Sequence, residues 1–326
     1  MSDEIPAQAP LPRRALLGGL LAVPALAQAQ APFPARPISL IVPFPPGGTT
    51  DVVMRALAEG ASRHLPQQVI VDNKPGAANT LGAATVARAR PDGYLLTQLP
   101  ASAIRVQLLQ KLPYDSLRDF TPVVSVTGYT FMVVAKAGRF PNGWPDFIAE
   151  ARRRPGQLAF GSTGANGTPH VTIAELAEKE GIELIHAPFR GDADGSQALL
   201  GGHIDIMAGG SGLGALADGN QAAILNVWNA ERLPRWPSAP TLRELGYDMV
   251  VTTPFGIVAP AGLDPAATRI LHDAFAAAQK ADEFRALLSR YDMPDEYRDS
   301  AGYAADIRAT VAREEALIRR LKLTAG

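Results

Sequence analysis

The sequence contains no cysteine and carries no excess of charge of either sign. Without cysteine, the chain has no catalytic thiol, no disulfide bond and no cysteine-based metal site. Its 31 basic residues nearly balance its 32 acidic residues, so no basic field attracts nucleic acid or an anionic membrane surface. The five histidines include no pair at the i, i+4 spacing typical of metal sites on helices. We therefore expect no metal, no cofactor and no nucleic-acid partner.

Apolar residues make up 47% of the 326 residues, enough for one large or two medium α/β domains. Near the N-terminus, Arg13 and Arg14 precede an apolar run over residues 15–27, which ends in small residues typical of signal-peptide cleavage. The run is shorter than the ~20 residues that span a membrane. The pattern predicts a signal peptide over residues 1–29, read by the general secretory (Sec) route or by the twin-arginine route, and thus an exported protein.

Short apolar runs alternate with stretches of helical periodicity along the rest of the chain. Residues 38–42 and 158–160 are predicted strands, each followed by a glycine-rich loop and a helix. This alternation predicts parallel strands in covered sheets, and thus an α/β fold with two units. A mostly apolar segment over residues 121–136 is predicted to be one long strand that crosses between the units, and residues 249–260 resemble it. A helical tail over residues 265–321 is predicted to cover the first unit.

Each of the two glycine-rich loops, residues 45–51 and 161–170, lies at the start of a predicted helix. The first turn of a helix leaves backbone N–H groups without intrahelical partners, and the helix dipole adds a positive field. Glycine lets a ligand approach the backbone. Hydroxyls that add uncharged donors belong to Thr49, Thr50, Ser162, Thr163 and Thr168. One such loop is most simply a tight turn, but two loops in two units predict an anion clamped in a closing cleft.

Five sequence motifs occur in order between residue 33 and the C-terminus. They are Pro45-Pro46-Gly47-Gly48-Thr49-Thr50-Asp51, Asp72-Asn73-Lys74-Pro75-Gly76-Ala77, Pro91-Asp92-Gly93-Tyr94, Gly161-Ser162-Thr163-Gly164 with Gly167-Thr168-Pro169-His170, and Leu199-Leu200-Gly201-Gly202-His203-Ile204-Asp205. Together they resemble the substrate-binding components of tripartite tricarboxylate transporters, also called the Bordetella uptake gene family.

The resemblance implies a two-lobed periplasmic binding protein of type II, the Venus flytrap, with two parallel or mixed sheets and crossing strands. It implies one lobe over residues 33–130 and 251–326, and a second lobe over residues 131–250. It also implies that the two loops hold a small organic carboxylate, partly through ordered water. A monomeric protein would deliver this carboxylate to membrane permease subunits.

Loop residues and their neighbours form the predicted ligand site, with no catalytic residue among them. The predicted ligand-binding residues are Phe44, Pro46, Gly47, Gly48, Thr49, Thr50, Asp51, Ser102, Ser162, Thr163, Gly164, Asn166, Thr168, His170, Arg190 and Ser211. As a carboxylate in a first helical turn, Asp51 is expected to cap its helix or orient a water rather than contact an ionised ligand. Ser102 and Arg190 are secondary candidates.

Two segments depart from the family pattern. Where the family has two glycines followed by Ala-Pro-Ala, this chain has Gly191 followed by Asp192, Ala193 and Asp194. We expect the two carboxylates on the surface, because they would repel an anion in the cleft. Residues 209–212, Gly-Gly-Ser-Gly, stand where the family often has an Asp-Asn pair, and this change should widen the pocket wall.

Two other interpretations stay open. Gly210, Gly212 and Ala215 match the G-x-G-x-x-A fingerprint of an NAD-dependent oxidoreductase, with Glu231 about 20 residues further on. Against this, the next predicted strand ends at residues 228–229, Trp-Asn, rather than at an acid. A ligand-sensing protein that signals to a membrane partner is the other alternative. The ligand is also open, since dicarboxylates, aromatic carboxylates and amino acids share the group that the loops would hold.

Overall fold

The computed structural model describes residues 32–324. Its strands are β1 (Ile38–Val42), β2 (Val69–Asn73), β3 (Leu95–Gln98), β4 (Phe120–Gly128), β5 (Phe131–Lys136), β6 (Ala159–Ser162), β7 (Ile185–Pro188), β8 (Ile206–Gly210), β9 (Ala222–Val227) and β10 (Pro254–Pro260). Its helices are α1 (Thr49–Ser62), α2 (Leu81–Val86), α3 (Ala101–Leu109), α4 (Trp144–Arg153), α5 (Thr168–Glu180), α6 (Asp192–Leu200), α7 (Gly214–Asp218), α8 (Pro265–Lys280), α9 (Asp282–Arg290) and α10 (Ser300–Leu321). The predicted signal peptide, residues 1–29, lies outside the described residues. No helix within residues 32–324 is long and apolar enough to cross a membrane.

Five strands form the first sheet, in the order β2-β1-β3-β10-β4. Ile38, Leu40, Ile41 and Val42 of β1 are fully buried, as expected for a central strand that pairs in parallel on both sides. β10 runs antiparallel to β3 and β4. α1 packs against α8, while α10 packs against α3 and β4. We call this sheet, with α1–α3 and α8–α10, the first lobe.

The second sheet has the order β7-β6-β8-β5-β9. β6 is parallel to β7 and β8, whereas β5 is antiparallel to β8 and β9. Phe131, Phe147, Phe160 and Trp228 lie in its core. We call this sheet, with α4–α7, the second lobe. Each glycine-rich loop therefore follows a central parallel strand of its own sheet, at the edge where ligands bind in α/β folds.

The chain changes sheets at Tyr129 and Thr130. The segment predicted as one crossing strand is two strands, β4 and β5, because each half pairs with a different sheet. The predicted return segment forms a strand only from Pro254, where β10 joins the first sheet. The helical tail, α8 to α10, packs on the first lobe as predicted. The predicted two-lobed α/β fold with mixed sheets and crossing segments is confirmed.

Candidate functional site

A cavity of about 360 Å³ lies between the two lobes. This volume is within the range of small-molecule sites, about 300–1,000 Å³. Its wall consists of residues 44–50, Asn79, residues 100–102, 129–131, Thr163, residues 167–169, 191–194, 210–211, Thr253 and Met293. Both lobes and the crossing segment contribute to this wall, so the cavity forms where the lobes meet.

The first glycine-rich loop presents the start of α1 to the cavity. Gly47 has φ of 83°, a backbone conformation that favours glycine. Gly48 is the N-cap residue of α1, and no side chain caps the start of this helix. The first-turn N–H groups therefore keep their hydrogen-bonding capacity for a ligand. Thr50 Oγ1 and Tyr129 Oη are joined by a hydrogen bond of 3.0 Å, which ties this loop to the crossing segment.

Asp51 stabilises the first loop from behind and does not line the cavity. Its carboxylate accepts hydrogen bonds from Gly47 N at 2.8 Å and from Asn73 Nδ2 at 2.8 Å. Arg55 Nε lies 2.9 Å from Asp51 Oδ1. Burial raises the pKa of Asp51, but the hydrogen bonds from Arg55, Gly47 and Asn73 outweigh it and hold the pKa below its ordinary value. The ionised carboxylate thus fixes the loop that faces the cavity.

The second glycine-rich loop presents the start of α5 in the same way. Gly164, with φ of 124°, and Asn166, with φ of 56°, turn the chain, and α5 begins at Thr168 with Pro169 in its first turn. Thr163 and Thr168 line the cavity. Asn166 N donates to His170 Nδ1 at 3.0 Å, so the imidazole of His170 holds the loop rather than the ligand.

Two stacked histidines support the second loop. The rings of His170 and His186 lie 3.8 Å apart, and Ser162 Oγ is hydrogen-bonded to His186 Nε2 at 2.7 Å. Burial lowers the pKa of both imidazoles to about 4, with the positive charge of Arg105 adding to the effect at His170. Both are therefore neutral at physiological pH. Neither adds a cation to the site.

A buried ion pair joins the second loop to the first lobe. Arg105 of α3 donates to both carboxylate oxygens of Glu314 in α10, at 2.6 and 2.9 Å, and the two side chains are 2% and 3% exposed. Arg105 Nη1 also donates to Asn166 O at 2.6 Å. One guanidinium thus links two helices of the first lobe with the loop that begins α5.

The starts of four helices face one cavity: α1, α3, α5 and α6. Pro100, Ala101 and Ser102 bring α3 to the wall, and Gly191 brings α6. Each start contributes unpaired N–H groups and the positive end of a helix dipole. No Lys or Arg among residues 32–324 lines this wall. The arrangement suits an anion held by backbone groups and hydroxyls instead of by a cationic side chain.

Asp192 corrects the expectation that both acidic residues of the 191–195 segment lie on the surface. Asp194 is exposed at the cavity wall, but Asp192 is partly buried and lines the cavity. Its Oδ1 accepts a hydrogen bond from Gly210 N at 3.3 Å. Gly209 and Gly210 provide the space for this carboxyl group, because a Cβ on Gly209 would lie 2.2 Å from Asp192 Oδ1. The carboxyl therefore occupies the space that the glycines open.

The structure divides the predicted site residues into two groups. Those on the cavity wall are Phe44, Pro46, Gly47, Gly48, Thr49, Thr50, Ser102, Thr163, Thr168 and Ser211. Those off the wall are Asp51, Ser162, Gly164, Asn166, His170 and Arg190. Tyr129, Thr130 and Asn79 are wall residues that the motifs do not indicate. Tyr129 could have been predicted as a wall residue from its position in the segment that crosses between the lobes.

The comparisons with known proteins agree with this architecture. The family model described as "Tripartite tricarboxylate transporter family receptor" matches residues 53–323. The chain belongs to the tripartite tricarboxylate transporter receptor family. It is similar to a Cupriavidus necator protein, "UPF0065 protein in gbd 5'region", with 40% identity over 305 residues, 94% of this chain and 93% of the relative.

Two solved structures have the same fold as this chain. The structure of MatC from Rhodopseudomonas palustris with bound malate has 26% sequence identity and a TM-score of 0.81, and the match covers 88% of this chain and 100% of MatC. The periplasmic binding protein BugD has 26% identity and a TM-score of 0.83 over 90% of this chain and 99% of BugD. The predicted family and the solute-binding function are confirmed.

The dinucleotide fingerprint has a different role in this receptor. Gly210 lines the cavity wall next to a short 3-10 turn, residues 211–213, and the helix that follows, α7, spans only Gly214–Asp218. A dinucleotide site needs a long helix directly after its glycine loop. In this chain the backbone of Gly212 packs closely against Thr49 of the first lobe. A Cβ on Gly212 would lie 2.6 Å from Thr49 Oγ1, so a larger residue does not fit there.

Proposed function

We propose that this receptor captures one small organic carboxylate in the cavity between its lobes and delivers it to membrane permease subunits. The convergence of three helix starts, those of α1, α3 and α5, on a cavity whose described wall has no basic side chain carries the proposal. The family description, a receptor of a tricarboxylate transporter, supports the ligand class. The bound malate in MatC supports it too.

Two loops are needed because the hydrogen bonds from one loop must also offset the freedom that the ligand loses on binding, which costs about 4–15 kcal/mol. Micromolar affinity corresponds to about 8 kcal/mol, and each hydrogen bond to a charged group contributes roughly 1.5–3 kcal/mol. The proposed donors on the first loop are the N–H groups and hydroxyls of Thr49 and Thr50. Those on the second loop are the hydroxyls of Thr163 and Thr168 and the N–H of Thr168. The carboxylate would bridge the lobes and hold them closed.

The proposed ligand contact is tested with Gly48→Glu. A Cβ on Gly48 has open space around it, with Pro45 O at 3.8 Å, and its φ of −77° suits any residue. The variant should fold normally, because a carboxylate at a helix start is favourable there. It should abolish carboxylate binding by occupying and charging the site.

The ligand is first found by a thermal-shift panel of carboxylates on the mature protein and measured by calorimetry. Gly219→Glu is the matched control, because Gly219 is exposed at the end of α7 and does not line the cavity. Unchanged affinity in Gly48→Glu would refute the loop assignment. Failure of every carboxylate to shift the thermal transition would refute the ligand class and favour a sensing or protein-binding role.

We also propose that residues 1–29 direct this receptor to the periplasm. The apolar run after Arg13 and Arg14 supports export, and BugD is a periplasmic relative. Mass spectrometry of the exported protein should find a mature N-terminus near residue 30. An intact N-terminal segment in the exported form would contradict the proposal.

A further inference from the structure

The wall formed by the start of α6 differs from the rest of the cavity because it is acidic. Asp192 and Asp194 both line it, and Asp192 lies against the glycine backbone of β8. Within residues 32–324 the hydrogen bond from Gly210 N is the one partner found for the Asp192 carboxyl, and it engages Oδ1. Oδ2 is left as an acceptor for a group in the cavity.

A second unpartnered acceptor stands at the same wall. Ser211 is 4% exposed and lines the cavity, and its Oγ has no hydrogen-bond partner in the described part of the chain. Buried hydroxyls without a partner are rare in folded proteins, so a bound group is expected to satisfy this one. The Asp192 carboxylate also offsets the positive end of α6. This wall therefore does not share the anion preference of the other three helix starts.

We propose that Asp192 selects the far end of the ligand, and that the receptor prefers a carboxylate with a distant ammonium group over a dicarboxylate of equal length. The proposal rests on the proposed function, since the starts of α1 and α5 must hold the carboxylate end. An ammonium group has three N–H donors, which match the Asp192 carboxylate and Ser211 Oγ. A second carboxylate brings only acceptors and a charge that Asp192 repels.

The protonation of Asp192 gives the proposal a pH signature. Burial raises the pKa of Asp192 to about 7, although the hydrogen bond from Gly210 acts against the rise. The titratable neighbours on the wall are Asp194 and Tyr129, and burial raises the pKa of Tyr129, which stays neutral. A cationic group binds the ionised form of Asp192, so its affinity should fall roughly tenfold from pH 8 to pH 6. A dicarboxylate should show the opposite trend.

The experiment compares ligands that differ only at the far end. One series is 5-aminopentanoate, hexanoate and adipate, and a shorter series is 3-aminopropanoate, butyrate and succinate. Calorimetry on the mature protein at pH 7.5 should give the tightest binding to the amino ligand in at least one series. Asp192→Asn should weaken that binding about 10- to 100-fold and remove its pH dependence, because the charged partner is lost.

Asp282→Asn is the matched control. Asp282 is also an acidic residue in the first turn of a helix, α9, but it is exposed and does not line the cavity. A dicarboxylate that binds tighter than its amino partner in both series would overturn the proposal and leave the proposed function intact. An unchanged preference in Asp192→Asn would also overturn it. If no member of either series binds, this proposal fails as well, whereas the proposed function fails only when no carboxylate of the thermal-shift panel binds.

Discussion

The buried pair of Arg105 and Glu314 should control both the stability of the fold and the second ligand loop. Replacing Arg105 with Met leaves the Glu314 carboxylate buried at 3% exposure without its partner, and it removes the donor to Asn166 O. Breaking a buried ion pair from one side costs about 3–5 kcal/mol, because the remaining charge is no longer compensated. Arg105→Met should therefore lower the free energy of unfolding by about 3–5 kcal/mol.

A second substitution should restore most of the stability that Arg105→Met removes. In the double variant Arg105→Met with Glu314→Leu, no unpaired charge is left inside, so most of the lost stability should return. Ligand affinity should stay reduced in both variants, because Asn166 O still lacks the guanidinium that positions the second loop. Urea denaturation measures the first effect and calorimetry with the identified ligand measures the second.

An exposed pair of similar geometry provides the control. Arg232 Nε lies 2.9 Å from both oxygens of Glu244, with both side chains more than 40% exposed. Arg232→Met should cost at most about 1 kcal/mol, since water replaces the lost partner. If Arg105→Met is no more damaging than Arg232→Met, the reasoning about burial is wrong. It is also wrong if the double variant is no more stable than the single one.

Two further predictions concern stability alone. Burial lowers the pKa of His170 and His186 to about 4, so the unfolded chain binds more protons than the folded one between about pH 6.5 and 4. Stability should fall by up to about 3 kcal/mol for each histidine as pH decreases through that window, less where water screens the partly exposed rings, and His186→Gln should flatten the profile in urea titrations. Gly214→Ala should destabilise the protein by about 1–3 kcal/mol although alanine favours helices, because its Cβ would lie 2.0 Å from Trp236 Cζ2. Gly219→Ala, with its nearest contact at 3.5 Å, should be neutral or stabilising in the same denaturation assay.

The elements that build the two loops are local, and this is why the sequence predicts them. A buried strand, a glycine-rich turn and an amphipathic helix occupy adjacent residues, so periodicity and turn chemistry suffice for β1 with α1 and for β6 with α5. The crossing was predicted as one strand because residues 121–136 are mostly apolar, β-branched or aromatic. Only the pairing of each half with a different sheet separates β4 from β5.

Residues that act through distant partners could not be assigned in this way. Arg105 and Glu314 are 209 positions apart in sequence, and nothing near either residue indicates the other. His170 was predicted at the cleft from its place in the first turn of α5, yet its ring turns to Asn166 N, four residues away. The rotamer of His170 decides whether its ring points into the cavity or towards the loop. Local sequence patterns do not determine this rotamer.

Asp192 shows why the proposed selectivity of the site was harder to predict than its proposed carboxylate-binding groups. The proposed anion-binding groups are backbone amides at helix starts, and a strand-loop-helix pattern is enough to locate them. The carboxyl of Asp192 is at the wall because β8 places Gly209 and Gly210 beside α6, which opens the space that it fills. From sequence alone, two aspartates in a loop are expected in water, because an isolated buried carboxylate is costly. The hydrogen bond from Gly210 N, 18 positions away in sequence, offsets part of the cost of burying the Asp192 carboxylate. This contact lies at the wall where the second polar group of a ligand would lie.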